Sequence, residues 1–425
     1  MKILFISANT EKINMPALPL GLACVAAATK KSGHDVAIVD LMTESDVRTV
    51  LRQAIGGFRP DIIGLSVRNI DDQNMENPRF LLGPVKDVVA VCRSLSEAPI
   101  VLGGAGYSIF PESTLAHLRA DIGIQGEGEV VFPALIDRIE RRADFLELPG
   151  LYLPGRGFKN KRKFAGNLDR LLLPDTDLWT LPPEKEKIWM PVQTRRGCPL
   201  GCSYCSTEAI EGRTIRKHSP EAIVRWIARW RKAGVRQFYF VDNTFNLPLS
   251  YAKELCRKMI DHDLNIKWWC IIYPKHFDKE LAGLMAKAGC EQVSIGFESG
   301  SERILKNMNK KYTPKEVRQI SRMLRDQGIR VMGFLLLGGP GETRESVEES
   351  LAFADSLGPE NLKITMGIRI YPHTPLSRVA INDGTISSDD DLFSPRFYLA
   401  KSLADWLPEK LKKWAAARPQ WTIRD

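Results

Sequence analysis

No apolar run in this chain approaches the length of a membrane-spanning helix, which argues against a helical integral membrane protein. A secretion signal is missing as well, since Met1-Lys2 leads directly into the strand-like Ile3-Leu4-Phe5-Ile6-Ser7. Cysteine is sparse, with eight among 425 residues. Five of them, Cys24, Cys92, Cys256, Cys270 and Cys290, stand singly in apolar segments, as small buried hydrophobes do. That usage points to a reducing cytoplasm and not to a disulfide-built secreted fold. The formal charge is +9, and much of the excess lies in residues 156–163 and 410–418. No RRM, KH or zinc-finger pattern accompanies it, so nucleic acid is not the expected partner. A solvated basic surface is the simpler explanation, with attraction to an anionic substrate or a membrane surface left open.

The other three cysteines stand together in Arg195-Arg196-Gly197-Cys198-Pro199-Leu200-Gly201-Cys202-Ser203-Tyr204-Cys205, shortly after the mostly apolar run 188–192. One loop with this C-x3-C-x2-C spacing delivers three soft, anionic thiolates to three corners of a cubane [4Fe–4S] cluster and leaves the fourth iron open. Zinc is the competing ligand, and it wants paired C-x2-C knuckles with a fourth ligand nearby. No second knuckle exists, and the nearest histidine, His218, lies beyond a helix-like stretch. The loop closely resembles that of the radical S-adenosylmethionine (SAM) enzymes. The resemblance implies that the open iron chelates SAM through its amino and carboxylate groups. One electron from the cluster then cleaves SAM to a 5′-deoxyadenosyl radical.

The length suits two to three domains. In the first part, strand-like runs at 2–7, 35–40, 62–66, 100–102 and 122–125 alternate with helical patterns, for instance 21–31, and a further helical pattern, 130–141, follows the last. The rhythm predicts an α/β domain with a doubly wound, Rossmann-like parallel sheet over 1–142. Ligands on such sheets bind beyond the carboxyl ends of the strands. Those ends carry Ala8-Asn9, Ser66-Val67-Arg68-Asn69, Gly103-Gly104-Ala105-Gly106 and Gly126-Glu127-Gly128-Glu129. Together with Pro19-Leu20-Gly21-Leu22 and Gly33-His34-Asp35-Val36, they resemble the cobalamin-binding domain of class B radical SAM enzymes. The resemblance implies a corrin held by Asn9, Leu20, Ser66, Arg68, Asn69, Gly103, Gly104, Gly126, Glu127 and Gly128. It departs at Asn9-Thr10-Glu11-Lys12-Ile13-Asn14, where many cobalamin proteins have Asp-x-His-x-x-Gly. Many radical SAM relatives lack that histidine too, so Arg68 or Asn69 would face the cobalt instead. The alternative is a Rossmann-like domain that only scaffolds the rest.

A Pro-, Gly- and charge-rich stretch, 143–187, reads as a linker. Beyond it, six strand–helix units over 188–386 suit the partial (βα)6, TIM-like barrel of radical SAM cores, with the site at the strands' carboxyl ends. Residues 387–425 read as a helical extension, with Leu403, Trp406, Leu407, Leu411 and Trp414 at helical spacing around Pro408. By resemblance, SAM would be held by Tyr204, Ser206 and Glu208 after the cluster motif. Gly296 and Glu298 of Val293-Ser294-Ile295-Gly296-Phe297-Glu298 would join them, with Gly338 of Leu337-Gly338-Gly339-Pro340-Gly341-Glu342 and Tyr371 of Ile370-Tyr371-Pro372-His373. Asp242 of Val241-Asp242-Asn243-Thr244-Phe245 would orient the cluster loop, touch substrate or shape a turn. Cys270 and Tyr273, near a strand end, are candidate hydrogen or proton donors, with core packing as the plain alternative.

The resemblance implies an enzyme with a [4Fe–4S] cluster, SAM and cobalamin. It would methylate an unactivated carbon or a phosphinate phosphorus of a small molecule through the 5′-deoxyadenosyl radical and methylcobalamin. An electron donor such as flavodoxin or ferredoxin would supply the cluster. Relatives use the same parts for cyclisation, ring contraction or oxidation. A sensor that keeps the cluster and binds SAM or corrinoid is the reading of another class.

Overall fold

The computed structural model describes residues 1–11, 18–42, 44–158, 160–179, 189–419 and 421–423. The chain forms two units. Met1–Asp72, Arg79–Pro183 and Ala209–Gly212 make the first; Gln73–Pro78, Glu184–Glu208 and Arg213–Asp425 make the second.

In the first unit, β1 (Lys2–Ser7), β2 (Asp35–Asp40), β3 (Ile62–Ser66), β4 (Ile100–Gly103) and β5 (Ile122–Ile124) pair in parallel in the order β2-β1-β3-β4-β5. Continuous apolar runs build these strands because helices cover both faces of a parallel sheet. Ile3, Phe5, Val101, Phe132 and Leu135 meet in one of its cores. The order reverses between β1 and β3, and a crevice opens there beyond the carboxyl ends. Helix Gly128–Glu140 packs on helix Leu20–Lys31, where a Cβ on Gly128 would lie 2.9 Å from Val25 Cγ2.

The linker expectation is corrected here. Two short strands, β6 (Leu151–Leu153) and β7 (Gly157–Phe158), extend the first sheet antiparallel beside β5, so most of the described part of that stretch belongs to the first unit. Strands of three and two residues are too short to display an alternating pattern among prolines and glycines.

The second unit carries β8 (Trp189–Val192), the short β9 (Arg195–Arg196) and β10 (Arg216–Lys217), then β11 (Gln237–Phe240), β12 (Lys267–Ile272), β13 (Cys290–Glu298), β14 (Arg330–Leu337) and β15 (Asn361–Met366). The small β16 (Ile368–Arg369), β17 (Phe397–Tyr398) and a last strand, β18 (Trp421–Ile423), follow. The large sheet runs β18-β15-β14-β13-β12-β11-β8, all parallel, with helices in the crossovers, as in a partial (βα)6 barrel. Helix starts are legible in the sequence. Thr313-Pro314-Lys315-Glu316 forms a full capping box, with proline in the first turn of Pro314–Arg325.

The C-terminal expectation is corrected in part. Helix Leu407–Ala416 is present, but residues 421–423 add a seventh parallel strand beside β15. Trp421 stacks on Trp414 at 5.2 Å, and its indole N–H donates to Pro359 O at 3.2 Å. Those side-chain contacts secure a strand too short to announce itself. Among the described residues, no helix is long and apolar enough to cross a membrane.

Candidate active site

The cysteine loop leaves the end of β8 and is fastened from below by a buried charge pair. Asp242, just past β11, has a fully buried carboxylate. It accepts from Thr194 N (2.7 Å), Thr194 Oγ1 (2.7 Å) and Arg195 N (2.9 Å). Arg195 Nε lies 3.4 Å from Asp242 Oδ2. The guanidinium also donates to Phe245 O and Leu247 O and lies against the rings of Phe245 and Tyr251. Burial raises the Asp242 pKa, with Arg195 and Thr194 opposing that shift. Asp242 is thus a positioning residue of the cluster loop. Gly197, at φ 89°, brings the loop so near its neighbour that a Cβ would lie 2.1 Å from Thr214 O. Ser203 is tied on both sides, by its N–H to Met308 O (3.0 Å) and by its carbonyl to Leu376 N (2.9 Å).

The three thiols Cys198, Cys202 and Cys205 form no disulfide and are half-buried. Among the described residues, only His34, Asp137 and Glu140 offer three candidate ligand atoms within 4.8 Å of one another. A tetrahedral zinc would hold its sulfurs about 3.8 Å apart, from a bond of about 2.3 Å. The loop thiols are spread wider than that, as the corners of a larger cluster require. The donor set therefore fits an iron–sulfur cluster.

Above the loop lies a buried polar group of side chains. Tyr204 donates to Glu298 Oε1 at 3.0 Å, and Lys310 Nζ lies 3.2 Å from the same oxygen. Glu298 owes its aim to an irregularity: the pairing of β13 with β14 shifts register between Gly296 and Glu298, and Glu298 adopts φ 57°. A Cβ on Gly296 would come within 2.6 Å of Glu298 Oε1. Tyr312 donates to Gly296 O at 2.7 Å, and Tyr273 Oη accepts from Lys311 N at 2.8 Å. Tyr273 and Tyr312 meet edge to face at 5.1 Å. The segment Asn309-Lys310-Lys311-Tyr312 escapes the sequence reading, although a loop with two lysines and a tyrosine just after the Glu298 motif was the available signal. Ser206 is half-buried beside the loop, whereas Glu208 faces solvent with its side chain 59% exposed, 3.5 Å from Arg213.

Gly338, at φ 97°, turns where a Cβ would meet Leu399 Cδ1 at 2.5 Å. Its N–H and that of Gly339 donate to Glu342 Oε2, a carboxylate that burial pushes up to about 7 despite those bonds. The folded chain therefore holds a proton that the unfolded chain releases, and stability falls as pH rises from about 5 to about 7. The contribution is on the order of 3 kcal/mol. Glu342→Gln should flatten that slope in urea midpoints measured across the window, and an unchanged slope would refute it. Tyr371 is buried and accepts from Gln73 Nε2 at 2.9 Å, with the Arg369 guanidinium 5.1 Å from its ring.

Cys270 does not join this group. It is fully buried in β12 beside Cys256, which lies on helix Leu249–Asp261, and beside Cys290. It therefore faces the helix layer, where burial pushes its thiol well above the usual range. Tyr273, three residues on, lies with the polar group instead, because alternation sends Cys270 to the other side.

In the first unit, a cleft at the ends of β1 and β3 is lined by Asn9, Glu11, Val67, Arg68 and Asn69, among others. Asn9 Oδ1 accepts from Asn69 Nδ2 at 3.1 Å, while among the described residues the buried Asn9 Nδ2 has no partner. A donor held ready in this way fits a ligand rich in amide carbonyls, such as a corrin, and among the described residues no histidine lines the cleft. Gly104, at φ 106° and ψ 173°, occupies a region nearly exclusive to glycine, and a Cβ there would lie 2.5 Å from Val67 O. Gly104→Ala should cost about 1–3 kcal/mol and loosen this rim, read as lower corrinoid retention after desalting; full retention would remove Gly104 from the site. Gly103 and Ser66 pair at the adjoining strand ends, and Leu20 is buried at its helix start. Gly126 N–H donates to Ser108 Oγ, and Glu127 accepts from Ala165 N. Gly128 serves the helix packing already described. Of the Asn9–Asn14 stretch, residues 12–14 lie outside the described residues.

The family model of the radical SAM superfamily matches residues 192–354, and that of the B12 binding domain matches residues 6–136. An uncharacterized methyltransferase of Pyrococcus horikoshii is 29% identical over 90% of this chain and 83% of its own. A tryptophan 2-C-methyltransferase of Streptomyces laurentii is 24% identical over 87% of this chain and 73% of its own. In fold, the chain is similar to the radical SAM methyltransferase TsrM of Kitasatospora setae, solved with cobalamin and a [4Fe–4S] cluster, at TM-score 0.87 and 22% identity over 99% of this chain and 92% of that one. Each family model falls on one of the two units, and the chain thus carries a radical SAM domain and a B12 binding domain.

Proposed function

We propose that the protein is a cobalamin-dependent methyltransferase that moves a SAM-derived methyl group to an unactivated carbon, or to a phosphinate phosphorus, of a small molecule. The observation that carries this reading is the reach of the likeness: it runs through both units, over 90% of the chain for the Pyrococcus methyltransferase. When bound, the cofactors supply one-electron cleavage of SAM and a corrin that carries methyl.

The chain's own work is holding and shielding. Cys198, Cys202 and Cys205 hold the cluster, and the Asp242–Arg195 pair keeps their loop in place. Tyr204, Gly296, Glu298, Gly338 and Tyr371 receive SAM, with Glu298 as the acceptor for its hydroxyl or amine hydrogens. Asn9, Arg68, Asn69 and Gly104 form the rim for the corrin. Tyr273 and Tyr312 pack over the loop and keep water from it. An oxygen-labile cluster and free thiols suit a reducing cytoplasm, with a flavodoxin or ferredoxin as electron donor.

The test is anaerobic reconstitution with iron, sulfide and hydroxocobalamin, desalting and metal analysis, followed by reductant and methyl-labelled SAM. Cobalt and cluster both retained near stoichiometry, with reductant-dependent 5′-deoxyadenosine, is the expected result. A cluster retained without cobalt would sink the cobalamin half of the reading and leave a scaffold in its place. Cofactors retained without SAM cleavage would favour a sensor.

A further inference from the structure

Lysine is seldom buried, because its charge loses solvation unless it is paired. Lys310 is only 9% exposed, and its ammonium lies among the polar side chains of Glu298 and Tyr204. Its ammonium lies 3.2 Å from Glu298 Oε1 and 5.2 Å from the centre of the Tyr204 ring. Its charge works against the burial that raises the Cys202 thiol, two residues before Tyr204. Burial opposes the lysine's own charge, yet Tyr204 and Glu298 beside it outweigh that and hold its pKa well above the usual range.

The backbone around Lys310 is locked onto the same loop. Ser203 N–H donates to Met308 O, and Asn309 Nδ2 donates to Gly201 O at 2.5 Å. Asn309 itself sits at φ 56°, a conformation that asparagine tolerates better than most residues. The segment 308–312 thus grips the cysteine loop on both sides of Cys202, at Gly201 and Ser203, and fixes a cation against the ring of Tyr204, two residues on.

We propose that Lys310 is a positioning residue that holds Glu298 and Tyr204 over the cysteine loop and, as a fixed cation beside Cys202, favours the reduced state of the cluster. The physical reason is electrostatic. Reduction adds one negative charge to a group already ringed by thiolates. A lysine fixed in a poorly solvated place offsets that charge more effectively than water-screened surface lysines do. No bond or proton changes at Lys310; the electron comes from the external donor and stays on the cluster.

The inference rests on reading Cys198, Cys202 and Cys205 as cluster ligands, and the experiment separates the two. Wild-type protein, Lys310→Met and Lys310→Arg are reconstituted anaerobically with iron and sulfide and assayed for both. The cluster's midpoint potential is then followed by electron paramagnetic resonance during titration with a chemical reductant, without SAM. Wild type that takes up no cluster overturns the cluster reading and this inference with it. With loaded wild type, the expected result is a more negative potential for Lys310→Met and a return toward wild type for Lys310→Arg. Cluster lost in Lys310→Met but kept in Lys310→Arg supports the same cation. An unchanged potential in loaded Lys310→Met overturns the proposal. So does an arginine variant that behaves as the methionine variant does.

Discussion

Cys202→Ala is expected to leave the chain folded and to strip it of its cluster. Iron and sulfide should fall to background after reconstitution, and reductant-dependent 5′-deoxyadenosine should vanish with them. On the proposed reading Cys202 is the middle ligand of the loop, and the five cysteines outside the loop cannot replace it. Among the other five, Cys24 and Cys92 lie in the first unit, and Cys256, Cys270 and Cys290 are buried in the second. The thiol is half-buried in a loop that is fastened mainly by backbone bonds at Gly201 and Ser203. Its removal should therefore cost stability only about 1 kcal/mol. Thermal unfolding of the apo variant checks the second half of the expectation, and iron analysis the first. A full-strength cluster in this variant would defeat the assignment of the loop.

Asp242→Ala should do the opposite, damaging the fold first and the cluster through it. The substitution leaves the Arg195 guanidinium buried without its carboxylate, a loss of about 3–5 kcal/mol for broken buried pairs. Thr194 N and Arg195 N lose their acceptor at the same time, and each buried orphan of that kind costs about 1–3 kcal/mol. These terms overlap, so a net loss near 4 kcal/mol in urea unfolding is expected. Cluster uptake should fall severalfold, because Arg195 stands only three residues before Cys198. Asp242→Asn can keep its carbonyl on Thr194 N and Arg195 N but turns an amide N–H₂ toward Thr194 Oγ1 and the Arg195 guanidinium, so it should lie between wild type and the alanine variant. An alanine variant with stability within about 1 kcal/mol of wild type and a normal cluster would remove Asp242 from its anchoring role.

The contrast between these two residues tracks what could be read in advance. Cys202 was legible because ligand chemistry dictates residue type and spacing within one short loop, and neither depends on the rest of the fold. Asp242 was legible as important but not as to role, since a carboxylate after a strand suits substrate, turn or loop anchor equally. Only the buried bonds to Thr194 and Arg195 decide among them. The role of Lys310 was not legible from the lysine and tyrosine content of its loop. Its contacts with Glu298 and Tyr204 span twelve to more than a hundred residues of sequence and depend on the register shift in β13 that turns Glu298 inward. Cys270 shows the reverse error: proximity to a strand end suggested chemistry, and a single step of alternation put the thiol in the helix layer.

Taken by itself, the sequence determined the two α/β halves, the cluster loop and the glycine turns at the strand ends. Those features follow from local rules: the period of apolar residues, the ligand spacing of thiolates, and the backbone freedom that only glycine has. Tertiary structure alone decided that residues 151–153, 157–158 and 421–423 are strands, because pairing partners and stacked rings stabilise segments too short to carry a pattern. It also decided which charged groups are buried against which others. That choice is made by long-range packing, where the cost of desolvating a charge selects its partner, and no local pattern in the chain encodes it.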